Sequence, residues 1–407
     1  MNIKSLLLGS AAALVAVSGA RAADAVVIAE PEPMEYVRIC DTYGVGFYYI
    51  PGTETCLKVS GYLRYDVGVG DTNGLNNVID KSDFYDAVIN DDFDDLDTND
   101  TYFKRARFAL RVDARSETEL GTLRVYAQVN FNYDTQTDGV ALLGLQPDLS
   151  GLDPSFGGVS TSSNYVVLEH GYLELGGFRA GVTDSYFSTF TGYSSGVSND
   201  GIIPYGPFQT HQLSYTFNGG NGFTAGVALE TGTGWSDISG LISTPVGLVS
   251  ADIYAIDSYM PHVVGGLGYT GGWGGVSGVV GYDSVWEEFA VKGRVDFNAM
   301  DAVTLFAMAG WKSNEDDGTP FNYYAQWGGD WAFWAGGAWK FTEQATGNLE
   351  IGYDDADNFS TVVNVDYELV RNFHIIPEVI YTDNFDSDDD DADAWGGFLR
   401  LQANFGG

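Results

Sequence analysis

Basic side chains recur at alternating positions of this sequence, a spacing that places them on one face of a strand, where they could attract anions. The candidate site residues are Lys58, Arg64, Arg105, Arg107, Arg111, Arg124 and Arg400. Like charges at this density persist only where water or counter-charge solvates them. One interpretation is therefore a basic surface lining an aqueous space. The alternative is a set of salt bridges to carboxylates such as Asp66 and Asp113 without further significance.

Catalytic constellations are scarce in the sequence. The four histidines are His170, His211, His262 and His374, and none of them lies in an H-E-x-x-H pattern. No G-x-S-x-G motif or phosphate-binding loop occurs on a strand–turn–helix pattern. The aspartate run at residues 91–97 lacks the central glycine and the terminal glutamate of a calcium-binding EF-hand loop. We therefore predict neither an enzyme nor a bound cofactor or metal.

The N-terminus predicts export. A short basic start at Lys4 is followed by an apolar stretch and by Ala20-Arg21-Ala22, which together are typical of a signal peptide over residues 1–22. The mature chain has two cysteines, Cys40 and Cys56. An oxidising periplasm would let them pair, although two separate buried thiols are the alternative.

Hydrophobicity alternates with period two over segments of about ten residues, which indicates β-strands. One face of residues 57–67 carries Leu57, Val59, Gly61, Leu63, Tyr65 and Val67, and the other carries Lys58, Ser60, Tyr62, Arg64 and Asp66. The same alternation recurs at residues 102–114, 123–133 and 395–405. The basic residues lie on the polar faces of these strands.

Strands of about 9–11 residues with an apolar face are typical of outer-membrane β-barrels, whereas strands of soluble sandwiches average nearer 5–6 residues. Aromatic residues near the strand ends fit a membrane girdle; they are Tyr65, Tyr102, Tyr133, Tyr353, Tyr367, Trp395 and Phe405. Counting segments between turn signals predicts 16 antiparallel strands, with the fifth at residues 178–187. Barrels of this size enclose an aqueous channel.

The predicted connections alternate between short periplasmic turns and long extracellular loops. The third long loop, residues 188–209, is rich in small and turn-forming residues and has Asp200 as its only charge. We expect this loop to fold inward, so that Asp200 faces the arginines and creates a transverse field across a constriction. The alternative is an ordinary solvated turn at Asn199-Asp200-Gly201.

The net charge divides into two regions. The chain has 56 acidic and 19 basic residues and a formal charge of -37, which argues against a nucleic-acid partner. Nine aspartates occupy residues 80–100 and seven occupy residues 383–393, both in predicted extracellular loops. They would attract cations at the mouth or contact lipopolysaccharide through divalent ions, or they are solvated surface charge. Of eleven basic residues on polar strand faces, eight lie on four strands that become neighbours when the barrel closes; the other three are Arg179, Lys292 and Arg294.

Several stretches near the N-terminus resemble alphaproteobacterial outer-membrane porins of the rhizobial and brucella type. These stretches are residues 23–25, 35–41, 49–57 and 60–64. The resemblance implies a homotrimeric 16-stranded porin, a passive diffusion channel for small hydrophilic solutes that the third loop narrows. It also implies a disulfide between Cys40 and Cys56.

The sequence therefore predicts an all-β transmembrane protein of the outer membrane of a Gram-negative bacterium. Its expected parts are a signal peptide (residues 1–22), a periplasmic-side segment (23–56), the barrel (57–405) and a short tail (406–407). Its expected partners are two further copies, membrane lipid with lipopolysaccharide, and small solutes and ions. Two other functions stay open: a secreted or surface cation-binding β-protein, and an outer-membrane barrel hydrolase.

Overall fold

Sixteen antiparallel strands form the body of the protein. The structure is a computed structural model, and it describes residues 38–90, 96–138, 159–194, 196–232, 239–244, 247–313, 321–385 and 393–406. They are β1 Cys56–Gly70, β2 Phe103–Thr118, β3 Gly121–Asp138, β4 Val159–Leu175, β5 Phe178–Asp184, β6 Gln209–Asn218, β7 Phe223–Glu230, β8 His262–Gly271, β9 Gly274–Asp283, β10 Glu288–Met300, β11 Val303–Lys312, β12 Trp331–Lys340, β13 Ala345–Asp354, β14 Asn358–Val370, β15 Phe373–Asn384 and β16 Ala394–Phe405. The predicted signal peptide, residues 1–22, lies outside the described residues.

The sheet closes on itself. Each strand pairs antiparallel with the next one in sequence, and β1 pairs with β16 from Gly61 opposite Phe405 to Gly70 opposite Gly396. The prediction of a closed 16-stranded barrel is confirmed. Its strands alternate between an apolar outer face and a polar or tightly packed inner face, as the period-two pattern requires.

The burial of neighbouring residues on β1 shows this alternation. Leu63 and Tyr65 are 56% and 43% exposed on the outside, whereas Tyr62 and Asp66 are buried inside. A wall with apolar side chains facing outward is stable in contact with lipid chains. No helix in the described part of the chain is long and apolar enough to cross a bilayer.

The loops contain structure that periodicity did not indicate. The fifth strand ends at Asp184 rather than continuing to residue 187, because Ser185 caps a helix, α2 Tyr186–Thr191, and accepts a hydrogen bond from the Phe187 amide. The first long loop holds a helix, α1 Lys81–Asn90. Two short hairpins also lie in loops: Leu75–Ile79 with Thr98–Thr101, and Ser239–Thr244 with Gly247–Asp252.

The segment before β1 is closed by a disulfide between Cys40 and Cys56. It contains a 3-10 turn at Asp41–Tyr43 and a two-residue strand, Tyr48–Tyr49, that pairs with the start of β1. Both cysteines and Phe47 are buried together, with Tyr43 packed against them. This arrangement fixes a compact cap at the end of the barrel where the short turns lie.

We expect the double substitution Cys40→Ala/Cys56→Ala to loosen this cap without opening the barrel. The disulfide closes a loop of 16 residues, and cross-links of that length stabilise by about 3 kcal/mol. Limited proteolysis with mass spectrometry should show new cleavage within residues 38–55. Heat-modified electrophoretic mobility, which reports the barrel, should stay the same. A barrel that melts much earlier would show that the cap is part of its cooperative unit.

Candidate functional site

The inner faces of β16, β1, β2 and β3 form a basic strip. Antiparallel register sets Arg64 opposite Arg107, and it sets Asp66 between Arg105 and Arg400. Two inward rows further along the barrel axis, Arg111 lies opposite Ser60. Like charges placed directly opposite each other are destabilising in a sheet unless they are solvated. The pairing of Arg64 with Arg107 therefore requires water or a counter-charge beside it.

Four members of the strip are held by carboxylates. Arg64 and Arg400 share the buried Asp66, at 3.2 and 2.9 Å. Arg105 binds Asp134 at 2.7 Å. Arg124 contacts both Asp113 and Glu174 at 2.9 Å. For these arginines the salt-bridge interpretation describes the contacts, and their net charge is reduced accordingly.

Arg107 and Arg111 differ from their neighbours. The Nε of Arg107 donates to Asn132 Oδ1 at 2.6 Å, and the Nε of Arg111 donates to Gln128 Oε1 at 2.7 Å. Both acceptors are neutral amides, which orient a guanidinium without cancelling its charge. Among the described residues neither arginine forms an ion pair. They are the arginines of the strip that are held by neutral amides rather than by carboxylates.

Lys58 lies near the cap rather than in the middle of the strip. Its Nζ donates to the carbonyl of Val45 at 3.1 Å and lies 5.9 Å from the ring centre of Phe47. The neighbouring Arg115 also stacks over Phe47 and pairs with Asp113. These two cations bind the disulfide-closed cap to the barrel wall.

The connection from β5 to β6, Ser185 to Phe208, lies inside the barrel and is called the inner loop below. Its side chains Tyr186, Phe187, Ile203 and Tyr205 are buried against the inner wall. That wall is formed by residues of β7 to β12, among them Trp334 of β12. The inner loop thus covers the half of the barrel opposite the basic strip and leaves the strip facing the remaining space.

Glu230 of β7 anchors the start of the inner loop. It is fully buried and accepts four hydrogen bonds. The donors are Ser185 Oγ at 2.8 Å, the Tyr186 amide at 2.6 Å, Gln212 Nε2 at 3.0 Å and Tyr324 Oη at 3.2 Å. A buried carboxylate with this many donors fixes the point where the chain leaves the wall.

Other wall residues bind the backbone of the inner loop further along. Lys292 Nζ and Arg294 donate to the carbonyls of Tyr205 and Tyr193 at 2.5 and 2.6 Å. Trp334 Nε1 donates to the carbonyl of Ile203 at 2.9 Å. Lys292 is completely buried and lies 4.5 Å from the ring centre of Phe187. Because their donors are used in this way, Lys292 and Arg294 act as loop anchors.

Glu378 of β15 holds the tip of the inner loop. It accepts hydrogen bonds from the Ser198 amide at 2.5 Å and from Asn199 Nδ2 at 2.6 Å. Asn364 of β14 donates both to Glu378 and to the carbonyl of Gly196. The tip is therefore fixed beside the strands that adjoin the basic strip.

The connection from β11 to β12 also enters the barrel and backs the inner loop. Tyr324 and Trp327 are buried, and Tyr324 packs against Phe187 with ring centres 5.1 Å apart. Gly281 and Gly310 on the facing strands leave the room that these rings occupy, since an added Cβ would lie 2.5 and 2.7 Å from them. A second loop thus fills the same half of the lumen.

Asp200 lies at the tip of the inner loop, where it accepts a hydrogen bond from Tyr205 at 2.6 Å. Burial raises the pKa of the Asp200 carboxyl, and the hydrogen bond from Tyr205 and the charge of Arg400 partly offset that rise. The interaction with Arg400 links the loop tip to the basic strip. The transverse field expected between Asp200 and the arginines stays a prediction.

We expect acidification to increase the preference for anions through Asp200. Because its pKa is raised, this carboxyl becomes neutral at a higher pH than an ordinary aspartate does as the pH falls. Reversal potentials in a salt gradient, measured from pH 7 to pH 4, should show an early shift toward anions. Asp200→Asn should remove that early shift, whereas Asp301→Asn, in an exposed turn, should keep it. An unchanged profile in Asp200→Asn would place the titrating group elsewhere.

Within the described ranges no group of three or more histidine, cysteine, aspartate or glutamate side chains is arranged to hold a metal ion. The aspartate run at residues 91–95 lies outside the described residues. Sequence reasoning did not identify Glu230 and Glu378 as loop anchors. Strand parity could have indicated them, because both are acidic residues on inward positions, Glu230 opposite the basic strip and Glu378 on the strand next to it.

Comparison with known proteins gives matches over nearly the whole chain. Residues 24–401 match the family described as Porin subfamily. The chain is 47% identical over 411 residues to Porin Omp2b of Brucella neotomae, with full coverage of both chains. It is 46% identical to Porin Omp2b of Brucella suis biovar 1 (strain 1330), again over 100% of both.

Solved structures share the architecture. The outer membrane channel DcaP of Acinetobacter baumannii superposes with a TM-score of 0.56 at 16% identity, over 88% of this chain and 99% of that one. An anion-selective porin from Comamonas acidovorans gives a TM-score of 0.51 at 12% identity, over 86% and 100%. Identities this low support a common fold alone.

Proposed function

This chain belongs to the porin family and forms a channel in the outer membrane of a Gram-negative bacterium, and from this premise we propose that it admits small hydrophilic solutes and ions by passive diffusion. The observation that carries the proposal is the position of the inner loop. It is bound to one half of the inner wall by Glu230, Lys292, Arg294, Trp334 and Glu378. The remaining passage runs between the loop tip and the basic strip.

The proposed filter has two components. The inner loop narrows the passage and so limits the size of the solutes that can pass. The field between Asp200 and the arginines sorts solutes by charge and dipole. Arg107 and Arg111 supply most of the positive side of this field, since their partners are neutral amides. Arg64, Arg105, Arg124 and Arg400 add less, because each forms an ion pair.

We propose that the functional unit is a homotrimer embedded in outer-membrane lipid and lipopolysaccharide. Cyclic assemblies of identical chains are the usual form of soluble oligomers, and the barrel presents an extensive apolar outer face on which such contacts can form. The acidic segment around Asp80 and Asp100 belongs to the long-loop side, where divalent ions could bridge it to anionic lipid. The cap closed by Cys40 and Cys56 lies on the other side, toward the periplasm.

Reconstitution of the purified protein into a planar lipid bilayer tests the function. We expect stepwise, ohmic current increments, and solute exclusion that can be measured by liposome swelling with sugars of increasing size. The absence of conductance steps would overturn the proposal. A soluble monomer whose thermal stability depends on calcium would favour a cation-binding surface protein instead. Hydrolytic activity lost on substitution of one serine or histidine would favour an enzyme.

A further inference from the structure

A cavity of about 410 Å³ lies beneath the inner loop, toward the end of the barrel where the short turns lie. Its roof is α2, which contributes Tyr186 and Phe190, and its wall is formed by the strands from β5 to β10. Small-molecule sites usually have volumes of about 300–1,000 Å³. This space, called the turn-side cavity below, is therefore large enough to hold a small solute.

Hydroxyl groups dominate the wall of the turn-side cavity. Each of the six strands contributes one polar side chain, and four of the six are hydroxyls: Arg179, Thr216, Thr224, Thr270, Ser277 and Asp296. Thr216 Oγ1 is hydrogen-bonded to Tyr186 Oη at 2.8 Å. Within the described ranges, no protein group forms a hydrogen bond with the hydroxyl of Thr270 or Ser277. Because a hydroxyl both donates and accepts, this wall suits a ligand whose own groups do both.

The two charged residues of the wall are already paired with opposite charges. Arg179 donates to Glu174 through Nε at 2.8 Å and through Nη2 at 2.7 Å. Asp296 accepts from Arg294 at 2.7 Å and keeps 46% of its side chain exposed. An ion of either sign would therefore meet a charge that is already balanced. The exposed carboxylate still has lone pairs that can accept hydrogen bonds from a neutral ligand.

The roof of the turn-side cavity is aromatic. The rings of Tyr186 and Phe190 have centres 5.2 Å apart. Phe190 lies over Gly266, where an added Cβ would be 2.7 Å from the ring. At Gly268, by contrast, an added Cβ would meet its nearest atom at 3.5 Å, an ordinary contact distance. The wall at residue 268 therefore has room for a larger side chain, which the sequence leaves empty.

We propose that the turn-side cavity is a binding subsite for a small neutral carbohydrate. A sugar ring presents C–H groups on its faces and hydroxyls around its edge. Its faces match the aromatic roof, and its hydroxyls match the wall of threonine, serine and carboxylate oxygens. The inference rests on the proposed diffusion channel and adds to it a place where one class of solute is retained beyond the inner loop.

Calorimetric titration of the purified protein in detergent micelles with D-glucose tests the subsite. We expect saturable binding by the unmodified protein and its loss in Gly268→Leu, which fills the cavity. Gly265→Leu is the matched control, because residue 265 lies on the same strand with no atom within 4 Å of an added Cβ. This control should bind glucose like the unmodified protein. Equal binding by both variants would overturn the proposal.

Removing hydroxyls without filling the space gives an independent measurement. Thr270→Val/Ser277→Ala should weaken glucose binding about tenfold, as expected for the loss of hydrogen bonds to two groups. Heat-modifiable mobility confirms that each variant has folded. Unchanged affinity in this double variant would contradict the assignment of these hydroxyls to the subsite.

Conductance in planar bilayers separates the subsite from the channel function. A protein that conducts but shows no saturable glucose binding would overturn the subsite and leave the channel proposal standing. Glucose binding without conductance steps would instead overturn the channel proposal. Saturable binding of succinate that Gly268→Leu abolishes, without binding of glucose, would show that the cavity takes an anion and would overturn the carbohydrate assignment.

Discussion

Replacing Arg107 and Arg111 together with alanine is expected to lower the ratio of chloride to potassium permeability roughly thirtyfold at low salt. Each charge favours chloride and disfavours potassium by roughly 0.5 kcal/mol at about 8 Å in water, which makes about 2 kcal/mol for the two charges and the two ions. Neither arginine forms an ion pair among the described residues; their Nε groups donate to Asn132 and Gln128. Their removal therefore subtracts uncompensated charge. Reversal potentials in a potassium chloride gradient provide the measurement.

Two comparisons separate this effect from a general change in charge. Lys104→Ala/Arg371→Ala removes the same net charge from the outer face of β2 and from an exposed turn, and it should leave the ratio unchanged. Arg124→Ala should have a smaller effect, because Asp113 and Glu174 already balance that arginine. The shift should also shrink at 1 M salt, where the screening length is about 3 Å. Equal shifts in all three variants would contradict the assignment.

The second large effect is expected at the base of the inner loop. Glu230→Ala removes the acceptor of four hydrogen bonds in a fully buried position. Leaving buried donors unpaired costs about 1–3 kcal/mol each, so docking of the loop should weaken by on the order of 3 kcal/mol or more. We expect a wider and noisier pore, with larger sugars admitted in liposome swelling and unstable single-channel current.

Glu230→Gln keeps one acceptor oxygen but places an NH₂ group against a donor, so it should show an intermediate phenotype. Glu343→Ala, in the exposed turn between β12 and β13, should behave like the unmodified protein. Heat-modifiable mobility should show an intact barrel in all three variants. An unaltered exclusion limit in Glu230→Ala would mean that Lys292, Arg294 and Trp334 hold the loop without it.

The barrel could be predicted from the sequence because lipid imposes a regular pattern on every strand. Leu63 and Tyr65 must face outward and Tyr62 and Asp66 inward, so a period of two appears along the whole of β1. The turns recur at intervals that the bilayer sets. Neighbouring strands are adjacent in sequence, and only the closure between β1 and β16 is long-range.

The packing of the inner loop could not be predicted in the same way. Its contacts join residues far apart in sequence, such as Ile203 with Trp334 and Ser198 with Glu378. No periodic pattern relates these positions, because the loop packs by side-chain shape and by individual hydrogen bonds. Whether the charge of each arginine is balanced also depends on the side chains next to it. Parity indicated that Arg107 and Arg124 face inward, but only the contacts distinguish the amide partner from the carboxylates.

The sharing of Asp66 has a consequence for how the protein matures. Asp66 and Arg64 belong to the first strand, whereas Arg400 arrives with the last strand, 334 residues later in the chain. The carboxylate receives its second guanidinium only when β16 joins β1. This buried ion-pair cluster is therefore completed by the same event that closes the wall, and an unfinished barrel lacks both.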